Sequence, residues 1–178
     1  MGVARAGYDD VVAAAVSGDA HALARAFHKY DGATPDPWTQ PATSDTLDNS
    51  GTAGTFTPLW TDEGGAQTSV IYDRTFNVYL AAYFNLKSGI KVRASRDLIH
   101  WSPPIGAPIQ EPGSTLYYPT LMGEAADLSV GGPAPRVHFS SIPAFPSWQT
   151  STLECVELKL SLPRLPVRER PGRSKDRF

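Results

Sequence analysis

Apolar positions between residues 9 and 29 recur near helical spacing, at Val12, Val16, Leu23, Ala26 and Phe27, with alanines filling the positions between. That period predicts one amphipathic helix over 9–29. Asp9 and Asp10 stand at the end where a helix dipole favours negative charge, and His28 and Lys29 at the other. Gly18 weakens the middle and Gly32 supplies a stop signal. The periodicity then disappears. Pro35, Pro37, Pro41, Gly51, Gly54, Pro58, Gly64 and Gly65 punctuate the next stretch and predict a loop over 34–68. A loop of that length is unusual inside a compact domain.

From residue 68 onward the apolar period changes to two. Strands are predicted over 69–73, 77–84, 90–95, 115–122, 136–142 and 152–160, with 105–109 a short edge strand behind Pro103 and Pro104. Short strands at regular spacing, separated by turn formers, define an all-β sandwich or propeller. Residues 69–72 and 118–121 hold equivalent places 49 residues apart, near the length of a four-stranded propeller blade. The expectation is an all-β partial β-propeller of about two blades with an N-terminal α-helix. It divides as helix and connection over 1–33, loop over 34–68, blades over 69–161 and a disordered basic tail over 162–178. A closed ring needs at least about four blades. The expectation is therefore a C-terminal fragment that self-associates through exposed blade edges. A small β-sandwich with an added helix is the alternative.

Charge and composition narrow the classes. The formal net charge is −2, and basic residues run together only between Arg164 and Arg177, so there is no general footprint for nucleic acid. No stretch approaches the roughly 18 apolar residues of a membrane span, and the first five residues lack the apolar core of a signal peptide. Cys155 is the single cysteine, so no internal disulfide forms, and its alternating surroundings predict a core or half-buried thiol. His spacing fits no zinc site, and no phosphate-binding glycine loop or Gly-x-Ser-x-Gly elbow occurs, so no metal or cofactor is expected.

The most informative run is Ser95-Arg96-Asp97-Leu98-Ile99-His100-Trp101-Ser102. Ser and Asp two apart can bond the backbone of a tight turn, and the Trp can plug a gap between neighbouring sheets. The run resembles the Ser-x-Asp-Leu-x-x-Trp turn of glycoside hydrolase propellers and is similar to the sialidase Asp box. Ile99 stands where that box has Gly, and Trp101 comes one residue early, which favours the arabinanase-like and fructosidase-like side. The segments 27–33, 68–73, 79–83, 89–95 and 117–121 resemble the same five-bladed group. The resemblance implies a carbohydrate partner, a family often secreted or periplasmic, and structural roles for Asp97 and Trp101.

Glycoside hydrolysis generally needs two facing carboxyl groups. In propellers these project from the innermost strands, expected here at 69–73 and 115–122. The catalytic candidates are Glu111, just before one such strand, and Asp62 and Glu63, in the loop leading to the other. Glu124 is also near, and each of these is otherwise a solvated loop charge. Asp73 is read as capping the turn to Arg74, and His138 as a satisfied strand histidine. Gln67, Tyr117 and Tyr118 are the candidate ligand-binding residues, because aromatic faces stack on sugar rings and amides pair with hydroxyls. Otherwise one tyrosine is core and the other rim. Two functions stay open: a glycosidase-related domain, inactive alone, or a non-catalytic carbohydrate-binding or interaction module.

Overall fold

The computed structural model describes residues 3–33, 35–38, 40–41, 57–60, 66–123, 127–128, 130–143, 145 and 147–161. The chain opens with β1 (Ala4–Arg5), α1 (Tyr8–Ser17), α2 (Ala20–Ala26), β2 (His28–Lys29) and β3 (Gln40–Pro41). The helix expected over 9–29 is thus two. Gly18 adopts the left-handed conformation at φ 68° and ends α1, its N–H donating to the Ala15 carbonyl. Asp19 restarts the chain as the cap of α2, its carboxylate accepting from the His21 and Ala22 N–H groups. A left-handed glycine followed by an Asx cap is a stop and a start. His28 and Lys29 belong to a strand, pairing with β1 and β3 in a small antiparallel sheet.

The rest of the described chain is mostly strand: β4 (Ala66–Asp73), β5 (Val78–Asn85), β6 (Gly89–Ser95), β7 (Thr115–Met122), β8 (Val130–Gly131), β9 (Arg136–Ile142) and β10 (Thr152–Glu157), with a 3-10 turn at Trp148–Thr150. Two larger sheets result. One has the order β6-β5-β4-β8 and the other β10-β9-β7. Pairing is antiparallel except for β8, which runs parallel to the end of β4. The strands expected over 69–73 and 115–122 lie in different sheets, and together the sheets curl as half a barrel. The 105–109 segment lies along the outer edge of β6, where Ile105 donates to Val92 and Ile90 and Ile109 exchange bonds. β4 begins at Ala66, inside the expected loop, and β10 ends at Glu157 rather than 160. The expected tail over 162–178 lies outside the described residues.

Alternation on β5 decides both faces of the first sheet. Leu80 and Ala82 point into the main core with Ile71, Ile90, Val92, Leu116, Leu121, Val137 and Phe139. Ala81 and Tyr83 point to the other face, where Trp60 covers them. Trp101 joins that second cluster, its ring 5.5 Å from Trp60 edge to face. It therefore packs on the face away from the second sheet and does not fill the gap between the two. Cys155 is exposed, contrary to the alternation around it. All six residues of β10 are exposed, because among the described residues only the β9 ladder packs on this edge strand.

Candidate functional site

β4 and β7 share an irregularity at the same point. The β4–β5 register shifts between Ala66 and Ser69, and the β7–β9 register between Tyr117 and Thr120. Each bulge places a non-glycine residue in the left-handed region, Gln67 at φ 50° and Tyr118 at φ 55°. The equivalent positions are thus 51 residues apart, not the 49 read from the sequence. Such a conformation costs about 1–2 kcal/mol for a residue bearing a Cβ. The bulge turns the Tyr118 N–H out of its own ladder, and the Gln67 Oε1 accepts it at 3.0 Å. The Ser69 hydroxyl accepts the Leu121 N–H at 3.0 Å, so the two strands run side by side in the same direction.

Adjacent strand residues normally face opposite ways. At the bulge Tyr117 and Tyr118 instead bring their rings to 6.0 Å. Tyr117 is half-buried and lies 4.3 Å from the buried Phe84 and 5.5 Å from Phe145, with which it stacks at 27°. Tyr118 is 53% exposed and Phe145 48%. The outcome is an aromatic surface anchored on Phe84 and open to solvent through Tyr118 and Phe145. Phe84 also lines a cleft of about 240 Å³ with Asn85, Lys87, Gln110, Glu111 and Leu116. Glu111 is exposed, and its carboxylate accepts from the hydroxyl of the buried Ser141 on β9. A larger groove of about 900 Å³ runs along the two helices, but alanines make up much of its wall. Its arginines are already paired, Arg5 with Asp36 and Arg25 with Asp19.

Of the expected site residues, Gln67, Tyr117 and Tyr118 come together at the paired bulges, and Glu111 joins them through Phe84. Asp62 and Glu63 lie outside the described residues, as does Glu124. Phe84, Phe145 and Ser141 were not anticipated. Phe145 carried a signal, as an aromatic between Pro143 and Pro146 beyond a strand end. Asp73 caps its turn as expected, Oδ1 accepting from the Thr75 and Phe76 N–H groups. The Asp97 turn is likewise architectural. Ser95 Oγ accepts from the Asp97 and Leu98 N–H groups, and Asp97 Oδ1 from those of Ile99 and His100. The His100 ring at 2.7 Å, with those backbone donors, holds the Asp97 carboxyl far below the usual carboxylate range. His138 is half-buried in the ladder, 3.7 Å from the Cys155 sulfur. No family model, curated protein or solved structure matches the chain.

Proposed function

We propose that the two sheets are neighbouring blades of a glycoside hydrolase-like β-propeller, with β4 and β7 as their innermost strands, and that the paired bulges present a carbohydrate-binding surface. The observation that carries this reading is the strained pair Gln67 and Tyr118. Non-glycine residues held in the left-handed region persist where surrounding structure over-determines them, and they cluster at ligand sites. Here the bulge exposes the Tyr118 ring, and the exposed Phe145 ring stacks on the neighbouring Tyr117, beside a cleft lined by amide, ammonium and carboxylate groups. Stacking faces flanked by hydrogen-bonding groups are what a sugar ring requires.

Binding is favoured over turnover by the cleft itself. Among the described residues lining it, Glu111 is the one carboxylate, and its oxygen is engaged by Ser141. Hydrolysis needs two carboxyl groups at defined separation. Titration calorimetry of the full chain against arabino-, fructo- and sialyl-oligosaccharides tests the reading. Binding of at least one is expected, with Tyr117→Ala and Phe145→Ala each weakening it about 10-fold, equivalent to about 1.4 kcal/mol. No binding by any of the three classes, or binding indifferent to both variants, would sink it. Turnover of aryl glycosides abolished by Glu111→Gln would move the assignment to a complete glycosidase.

A further inference from the structure

The two large sheets treat their outer strands differently. In the first, the outer edge of β6 is covered: Ser102 donates to Ala94, Ile105 to Val92, and Ile109 exchanges bonds with Ile90. In the second, β10 pairs only with β9 among the described residues. The direction of its backbone groups follows from one bond. Leu158 N–H donates to the Pro135 carbonyl at 2.8 Å, which continues the register Glu157↔Arg136 by one pair. Backbone polar groups alternate in direction along an antiparallel ladder. Residues 152, 154 and 156 therefore turn theirs toward β9. Leu153, Cys155 and Glu157 turn theirs outward, away from the sheet. Leu153 is also 77% exposed and Val156 37%.

We propose that this edge pairs with the β10 edge of a second copy of the chain, antiparallel, about a two-fold axis through Cys155. An antiparallel partner must also offer outward groups, so odd-numbered residues must face odd-numbered residues. Two registers then pair five residues within the strand. One sets Glu154 against Glu154 of the second copy, and like charges directly opposite are destabilising. The other sets Leu153 against Glu157, Glu154 against Val156 and Cys155 against itself. No like charges face each other in it, and Leu153, Cys155 and Glu157 all join hydrogen-bonded pairs, giving about six ladder bonds. The charge pattern of Thr152–Glu157 thus selects the second register.

Multi-angle light scattering on the full chain over a concentration series should show a mass of two chains at high concentration. Val156→Glu places a carboxylate opposite Glu154 of the second copy, and Val156→Lys an ammonium. By symmetry each acts twice, so the dissociation constant should rise about 3- to 10-fold for Glu and hold or fall for Lys. Residues facing each other in such a hydrogen-bonded pair have Cα atoms about 5.5 Å apart and Cβ atoms nearly as far, wider than the roughly 3.5–4.5 Å a disulfide needs, so a short bis-maleimide suits the pair where an oxidant does not. Bis-maleimidoethane should link the copies through Cys155, and Cys155→Ser should abolish the link. This cross-link reads the pairing even if a Val156 variant folds poorly. A monomer at every concentration overturns the proposal. So does a dimer that resists cross-linking, or one weakened equally by Val156→Glu and Val156→Lys.

Discussion

Single side chains in this protein take their roles from which face of a strand they occupy. Arg93 is the clearest case. It is buried, its Nε donating to the Tyr83 hydroxyl at 3.0 Å and its Nη1 to the Ser102 carbonyl at 2.5 Å. The guanidinium also lies 5.2 Å from the Trp60 ring. A buried cation is tolerable only when paired or bonded in this way. Trp101 closes the same cluster, edge to Trp60, with its indole N–H donating to the Leu98 carbonyl at 2.9 Å. Trp101→Ala removes that contact and the bond that ties the turn to its own ring. Fully buried aromatic truncations cost about 3–5 kcal/mol, and for this half-buried ring we expect about 2 kcal/mol in urea unfolding. Oligosaccharide binding should be unchanged, since the cluster lies on the opposite face of the sheet from Phe84. A loss below about 0.5 kcal/mol would mean the ring carries no packing role.

At the scale of elements, three turns share one device. Asp73, Asn85 and Asp97 each accept, through Oδ1, the backbone N–H groups two and three residues on. They stand twelve residues apart: Asp73 and Asn85 end β4 and β5, and Asp97 lies two residues past the end of β6. Such Asx turns need no tertiary partner, so the boundaries of these three strands were readable from the sequence to within about three residues. The Asp97 turn also makes a pH prediction. His100 and the turn's backbone donors depress the Asp97 pKa in the folded chain. The unfolded state then binds the proton more readily, and stability rises with pH through the carboxylate range. The contribution is full above the ordinary carboxylate pKa of about 4 and fades as pH falls below it. Asp97→Asn should remove that slope, measured as melting temperature between pH 6 and 2 against wild type. The effect should be small, because the side chain is half exposed and screened. Identical slopes in the two proteins would exclude the turn as its source.

At the scale of the whole molecule, the two sheets are joined where the chain beyond β7 folds back to lay β8 against β4. Gly123 makes that return possible. It is buried, its N–H donates to the Leu128 carbonyl, and a Cβ on it would collide with the backbone carbonyl of Val130. Gly123→Ala must push β8 off β4, and overpacking of this kind costs about 1–3 kcal/mol. A melting temperature within a degree of wild type would refute the close approach. This junction was invisible in the sequence, since a two-residue parallel strand has no period of its own. The alternation of β4 to β7, β9 and β10 and the turns at Asp73 and Asp97 were legible, because period and turn chemistry are local and each residue states its own part. Gln67, Tyr117 and Tyr118 could be nominated by residue type alone. Only the tertiary structure decided that two strands bulge at equivalent points, that Gln67 reaches the Tyr118 backbone, and that Phe84 and Phe145 flank Tyr117. The exposure of Cys155 was decided there too, because alternation orders the faces of a strand but does not say whether another layer covers them. These outcomes depend on which strands become neighbours across tens of residues of chain, and that pairing is set by packing of the whole rather than by any local run.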